Sequence, residues 1–204
     1  MRGLFITFEG CEGSGKSTQS SMLYNYLKRK KLSVFHLREP GGTKIGEHIR
    51  KILLDPRQKL SPICETLLYM GCRDHLIRSV IKPALRRKKI VICDRFLDST
   101  RAYQGYGLGV DMKLIEYIGR FVTNNIEPDL TIFLDVAIKE GLKRAGVIKD
   151  RIERRPLIYH QRVRKGYLRL ARQFPQRIKV IRVDKDKNKT QAKIRELVEK
   201  LLKR

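Results

Sequence analysis

The chain has 204 residues, room for one domain with a substantial core and too few for two independent ones. Hydrophobic residues make up 41 % of it, with seven Phe and eight Tyr, which argues against a disordered chain. The formal net charge of +25, from 46 Lys and Arg against 21 Asp and Glu, suits anionic partners, but no helix-turn-helix, zinc or RNA-recognition signature points to specific nucleic-acid binding.

Leu4 to Glu9 reads as a short buried strand, followed by a glycine-rich segment as far as Lys16. Ser17 to Lys31 has helical spacing, with Met22, Leu23, Tyr26 and Leu27 on its apolar side. Ser33 to Leu37 is a second strand, and Pro40-Gly41-Gly42 breaks the pattern. A helix after Thr43 gathers Ile45, Ile49, Ile52 and Leu53, with Asp55-Pro56 marking its end. Glu65 to His75 and Leu76 to Arg87 form a long helical stretch in which Pro83 predicts a bend. Ile90 to Cys93 is a third strand that runs directly into Asp94.

Lys113 to Asn124 is helical, Leu130 to Leu134 a strand, and Lys139 to Ala145 the start of another helix. The basic stretch 146–156 is weakly patterned and is the candidate mobile segment, or else an ordinary surface loop. Tyr159 to Phe174 is helical, Ile178 to Val183 the last strand, and Gln191 to Leu202 the last helix. This alternation predicts an α/β fold with a parallel sheet covered on both faces, and the chain shows no internal repeat.

Gly10-Cys11-Glu12-Gly13-Ser14-Gly15-Lys16-Ser17 matches GxxxxGK[ST] between a strand and a helix. Glycines there let backbone N–H groups turn in on phosphate oxygens, and the helix N-terminus adds unpaired donors. Lys16 can reach the β- and γ-phosphates of ATP, and the Ser17 hydroxyl can ligate Mg²⁺ or merely cap the helix. Thr18 follows in the same turn, and Cys11 reads as a filler of loop space. Asp94, at the carboxyl end of a predicted strand, is placed to hold Mg²⁺ or to cap the next helix. Arg95 beside it can grip a phosphate with two donors. No NKxD guanine motif is present, and the chain is short for a motor or helicase, which leaves a compact kinase.

Four blocks make the chain resemble bacterial thymidylate kinase over about residues 3 to 202. They are Phe8-Glu9-Gly10 through Lys16-Ser17-Thr18-Gln19; Arg38-Glu39-Pro40-Gly41-Gly42-Thr43; Asp94-Arg95-Phe96 with Ser99-Thr100 and Ala102-Tyr103-Gln104-Gly105; and Asp150-Arg151-Ile152-Glu153. The resemblance implies a nucleoside monophosphate kinase-like P-loop NTPase fold: a three-layer sandwich on a five-stranded parallel sheet. It implies a single domain, 1–204, with a short lid at about 146–156. The implied reaction passes the γ-phosphoryl group of ATP, with Mg²⁺, to dTMP.

By the same resemblance, Glu12 is the loop acid near the acceptor sugar and phosphate, positioning the acceptor or a metal-bound water. Arg38 and Arg95 surround the acceptor phosphate, with Gly41 and Gly42 turning Arg38 over it. Tyr69 lies against the thymine, Arg73 reaches a thymine carbonyl, and Thr100 addresses the N3 edge. Tyr103 lies under the sugar and crowds a ribose 2'-OH, with Gln104 in the same pocket. Arg144 packs against adenine, and the loop near Asp184 to Asn188 closes that pocket. The phosphate loop holds no arginine, so the chain looks like the type that supplies its catalytic arginine from the lid, with Arg151 ahead of Arg154 and Arg155. Relatives carry an acidic residue and a Phe where this chain reads Arg154-Arg155-Pro156-Leu157.

The resemblance also implies a homodimer built from helix faces. Cys11, Cys64, Cys72 and Cys93 form no CxxC pair or metal-site spacing, as expected of free thiols in a reducing compartment. No run of about 18 apolar residues and no secretory-type apolar stretch is present, so the expectation is a soluble cytoplasmic protein without a membrane partner. Two other readings remain open: a monophosphate kinase with another or broader acceptor, and a P-loop NTPase driven by nucleic acid.

Overall fold

A computed structural model describes residues 3–144, 146 and 149–203. Five parallel strands form one sheet in the order β2-β3-β1-β4-β5: β1 (Leu4–Glu9), β2 (Val34–Arg38), β3 (Ile90–Asp94), β4 (Leu130–Asp135) and β5 (Ile178–Arg182). The predicted strands are all present, within about a residue at each end.

Strand alternation decides the layers. Leu4, Ile6 and Phe8 of β1 face α1 (Lys16–Arg29) and α9 (Lys187–Leu202), where Leu23, Leu27, Ile194 and Val198 close the core. Phe5 points to the opposite face, with Val91 and Cys93, under α3 (Pro62–Leu76), α4 (Lys82–Arg86) and α6 (Met112–Thr123). Beside that cluster, α7 (Ile138–Arg144) and α8 (Leu157–Gln173) pack on Phe133 of β4 through Ile138, Val163 and Tyr167. The remaining helices are α2 (Lys44–Leu54) and α5 (Leu97–Thr100). The result is the predicted three-layer α/β arrangement.

Two helices begin well before apolar spacing suggests, because polar caps start them. Ser61 accepts from the N–H of Cys64 and starts α3 at Pro62, and Asp186 accepts from Asn188 and starts α9 at Lys187. The bend expected at Pro83 takes the form of a π-helical turn, Ile77–Ile81, between α3 and α4. Proline lacks the N–H and crowds the carbonyl four residues back, and the wider turn absorbs both. A second π-helical segment, Arg101–Gly107, extends α5. No helix was expected over Leu97–Gly107; its Ser, Thr and Gly content reads as loop, and burial of Leu97, Ala102 and Tyr103 overrides that. No helix among the described residues is long and apolar enough to cross a membrane.

The strands all end on one edge. Glu9, Asp94, Arg38 and Asp135 close β1, β3, β2 and β4 there. Chain order reverses about β1, so the loop after β1 opens at the switch point where parallel sheets hold ligands.

Candidate active site

The loop after β1 turns on glycines. Gly10, Gly13 and Gly15 have φ of 154°, 64° and 84°, and Gly15 starts α1 in the left-handed region. Gly13 also has no room for a side chain: a Cβ would lie 1.9 Å from the carbonyl oxygen of Gly141 in α7. Lys16 is buried; its Nζ donates to the Cys11 carbonyl at 2.8 Å and to Ser14 Oγ at 3.4 Å. Cys11 packs with Ala102 and Tyr103, and burial pushes its thiol up to about 12, which leaves little thiolate.

A cavity of about 280 Å³ opens in front of this loop. Glu12, Lys16, Ser17, Asp94 and Arg95 line one side, Arg38, Glu39 and Arg50 another, and Tyr69, Thr100, Tyr103 and Gln104 a third. With Gly13, the structure thus brings together eleven sequence-predicted site residues from five different segments. Ser17 donates to Asp94 Oδ2 at 2.5 Å, which sets a hydroxyl and a carboxylate side by side at the mouth of the loop. That pair of hard oxygen donors fits Mg²⁺, which keeps several waters and takes its remaining ligands from phosphates. No group of three or more His, Cys, Asp or Glu converges among the described residues, so no all-protein metal cage competes with it.

Arg95 adopts φ of 73°, a left-handed conformation that costs a non-glycine residue energy and is typical of a functional turn. The twist sends its side chain back across the loop. Nη1 donates to the Gly10 carbonyl and Ser99 Oγ, both at 3.2 Å, and Nη2 to Glu12 Oε1 at 3.1 Å, with the guanidinium 4.8 Å above the Tyr103 ring. The Tyr103 hydroxyl donates to the same Glu12 oxygen at 2.6 Å, and His160 Nδ1 lies 3.3 Å from the other. Burial alone raises the Glu12 carboxyl, but His160, Arg95, Lys16 and Tyr103 outweigh it and hold Glu12 at about 2. Glu12 is therefore a fixed anion and a poor proton acceptor.

Arg73 does not line the cavity. It is 1 % exposed and fully engaged behind the wall: Nε donates to Glu39 Oε2 at 2.8 Å, Nη1 to Thr100 Oγ1 at 3.0 Å, and Nη2 to the Phe96 carbonyl at 3.0 Å. Arg38 faces the cavity from an exposed position, paired with Glu47 at 3.0 Å. Arg144 lies outside the cavity on α7, paired with Glu140 at 2.5 Å. Thr18, the third residue of α1, is exposed and also off the cavity. Of the predicted lid segment, Val147 and Ile148 lie outside the described residues, as does Ala145, where the sequence reading extended the preceding helix. Asp150, Ile152 and Glu153 face the cavity, whereas Arg151 turns to Glu65.

Several residues escaped the sequence reading. Arg50 lines the cavity from α2 and donates to the Pro40 carbonyl at 2.9 Å; nothing in a lone helical Arg marks it. His160 is buried, one helical turn past the lid, and carries no motif. Glu9 is fully buried and accepts from Phe96 N–H at 2.8 Å, Ser99 at 2.6 Å and Tyr167 at 2.7 Å. Burial, and then the charge of Asp98, push its carboxyl up to about 7.

The folded chain thus holds a proton on Glu9 that the unfolded chain releases near 4.5, so this contribution is complete at acid pH and lost as pH rises through about 7. Glu9→Gln, which mimics the protonated form, should gain melting temperature relative to the unsubstituted chain between about pH 5 and pH 8. Thermal melts across that window check it. A difference independent of pH refutes it.

The family model for thymidylate kinase matches residues 8–194. A thymidylate kinase from Kosmotoga olearia is 47 % identical over 180 residues, 87 % of this chain and 86 % of the relative. One from a Thermoanaerobacter species is 41 % identical over 203 residues, 99 % of this chain and all of the relative. The crystal structure of a thymidylate kinase from Ehrlichia chaffeensis superposes with a TM-score of 0.80 at 36 % identity, covering 97 % of this chain and 99 % of that one. A phosphate-binding loop, a hydroxyl–carboxylate pair and an arginine-rich cavity on one sheet edge therefore stand in a chain that belongs to the thymidylate kinase family, a family of phosphotransferases.

Proposed function

We propose that the cavity seats dTMP with its phosphate against Arg38, Arg50 and Arg95 and its base between Tyr69 and Thr100, while the loop 10–18 cradles the phosphates of ATP. The chain phosphorylates dTMP to dTDP. The bond from the γ-phosphorus to the β–γ bridging oxygen breaks, an oxygen of the dTMP phosphate bonds to that phosphorus, and ADP leaves with the electron pair. Mg²⁺ held by Ser17 and Asp94 would offset phosphate charge when bound.

The observation that carries this reading is the convergence of Lys16, Arg95 and the other cavity arginines on one small space beside the phosphate loop. Two polyanions repel as they approach, and fixed cations in a partly dry site offset that repulsion without reorganising. The acceptor phosphate is already nucleophilic, so a strong base is unnecessary, in keeping with Glu12 held at about 2. Glu12 instead holds Arg95 and Tyr103 in place. Tyr103, buried against the loop, leaves little room beside the sugar for a 2'-OH. Segment 146–156 serves as a lid that excludes water and brings one of its arginines to the transferring group. Adenine would lie toward Arg144 and the turn 184–188.

We further propose a cytoplasmic homodimer. Tyr117 and Phe121 stand 76 % and 74 % exposed one turn apart on α6, beside Leu114, and Cys11, Cys64, Cys72 and Cys93 are free thiols.

A coupled assay with ATP, Mg²⁺ and dTMP, dUMP, dCMP or dGMP tests the reading. dTMP should turn over with the highest kcat/KM, and light scattering on the same sample should give twice the chain mass. Equal use of all four acceptors would favour a broad monophosphate kinase. ATP hydrolysis that rises with added nucleic acid and ignores dTMP would overturn the assignment.

A further inference from the structure

The phosphotransfer reading leaves three lid arginines, 151, 154 and 155, as candidates to meet the moving phosphoryl group. A cluster around Glu65 separates their roles. Glu65 of α3 is fully buried; its Oε1 accepts from Gln104 at 2.7 Å, and its Oε2 from Arg151 at 2.6 Å and Arg155 at 2.5 Å. One carboxylate thus faces two guanidinium groups and leaves a surplus positive charge. Three polar atoms there are buried without a partner: Arg151 Nη2, Arg155 Nη1 and the Tyr159 hydroxyl. Unmet donors beside excess charge await an acceptor-rich anion.

The two arginines are held differently. Arg151 also donates from Nε to the Leu53 carbonyl at 2.7 Å, and its backbone N–H donates to the Leu54 carbonyl at 3.1 Å, so it stitches the lid to the end of α2. Arg155's backbone N–H donates within the lid, to the Ile152 carbonyl at 3.1 Å, and among the described residues its side chain meets Glu65 and the face of the Tyr159 ring, 4.5 Å away, with no bond to α2. That ring meets Tyr103 edge-on at 6.3 Å, and the Tyr103 hydroxyl reaches Glu12 in the phosphate loop. Arg154 is exposed and donates to the Lys149 carbonyl at 3.0 Å. None of the three lines the cavity.

We propose that Arg155 is the lid arginine that contacts the transferring phosphoryl group, that Arg151 is a positioning residue anchoring the lid, and that Glu65 holds both until nucleotide charge draws Arg155 away. When Arg155 leaves, Glu65 and Arg151 remain as a neutral pair, so the departure uncovers no buried charge. The assignment rests on the phosphotransfer reading and moves the catalytic role four residues along from Arg151. Arg155 gives hydrogen bonds to the γ-phosphoryl oxygens and no proton is transferred.

Steady-state assays with Arg155→Ala and Arg151→Ala test it, with melting temperatures alongside. Arg155→Ala should lose roughly 10³-fold in kcat with both KM values and the melting temperature little changed. Arg155→Lys should recover only part, because lysine lacks the planar fork. Arg151→Ala should melt lower and raise both KM values; if it does not fold, Arg151→Lys keeps a charge on Glu65 and should retain kcat. Calorimetric binding of a thymidine–adenosine pentaphosphate should weaken more than about tenfold in Arg155→Ala while dTMP binding holds. Full turnover by Arg155→Ala, or loss of kcat by Arg151→Ala at unchanged melting temperature and KM, overturns the assignment. If the unsubstituted protein makes no dTDP, both this assignment and the reading beneath it fall. If it makes dTDP and Arg155→Ala does too, only the assignment falls.

Discussion

Gly13→Ala should nearly abolish turnover while dTMP still binds. Two independent costs fall on this one methyl group. The φ of 64° lies in the left-handed region, where a Cβ costs roughly 1–2 kcal/mol. The Cβ would also sit 1.9 Å from the Gly141 carbonyl oxygen, which no atom tolerates. That oxygen is backbone in α7, so relief requires the phosphate loop and α7 to part. In the proposed reading the loop offers its N–H groups to the nucleotide, and a misplacement of about 1 Å in such a site costs roughly 10²-fold. We expect kcat/KM for ATP to fall by at least about 10²-fold. Wild-type kinetics for ATP would show that the loop and α7 can separate freely.

The same contact ties the loop to the helix that precedes the proposed lid segment in the chain. α7 ends at Arg144, and the lid segment follows it. Gly13 and Gly141 let helix and loop approach backbone to backbone. Neither glycine announces this in sequence. Gly13 belongs to a motif whose spacing explains phosphate binding alone, and Gly141 sits in an ordinary amphipathic helix.

What could be read in the sequence was what local chemistry dictates. The strands were legible because buried parallel strands are short apolar runs, as in Ile90–Asp94. The phosphate loop was legible because its glycine spacing is tied to backbone geometry. Harder to read were partnerships across long sequence separations. Glu65 lies 86 residues from Arg151 and 90 from Arg155, and nothing local distinguishes it from a helix-surface glutamate. Arg50 and His160 reach the site only because α2 and α8 pack where they do. The segment 97–107 was hidden for a different reason: its own propensities favour a loop, and only tertiary burial makes it helical.

Arg73 shows the limit most clearly, since the resemblance implied direct contact with the base, and in the structure its side chain stands behind the cavity wall. Arg73→Met removes the partner that Glu39 depends on. Glu39 is 4 % exposed, its Oε1 already lacks a partner, and burial raises its carboxyl even against the attraction of Arg73. Breaking a buried pair from one side costs about 3–5 kcal/mol, or roughly 10 °C in a chain of this size. Glu39 then keeps a raised folded pKa with no cation beside it, so the loss should be smallest at acid pH and grow as pH rises through that pKa. Adding Glu39→Met leaves no buried charge and should return most of the melting temperature. Acceptor binding should not return with it. Arg73 donates to Thr100 Oγ1 and fixes that hydroxyl at the cavity wall, so both the single and the double variant should bind dTMP about tenfold more weakly, the scale of one hydrogen bond. Melting curves and dTMP titrations on the two variants separate the effects. If the double variant regains dTMP affinity along with stability, Arg73 serves the fold alone and Thr100 needs no help from it.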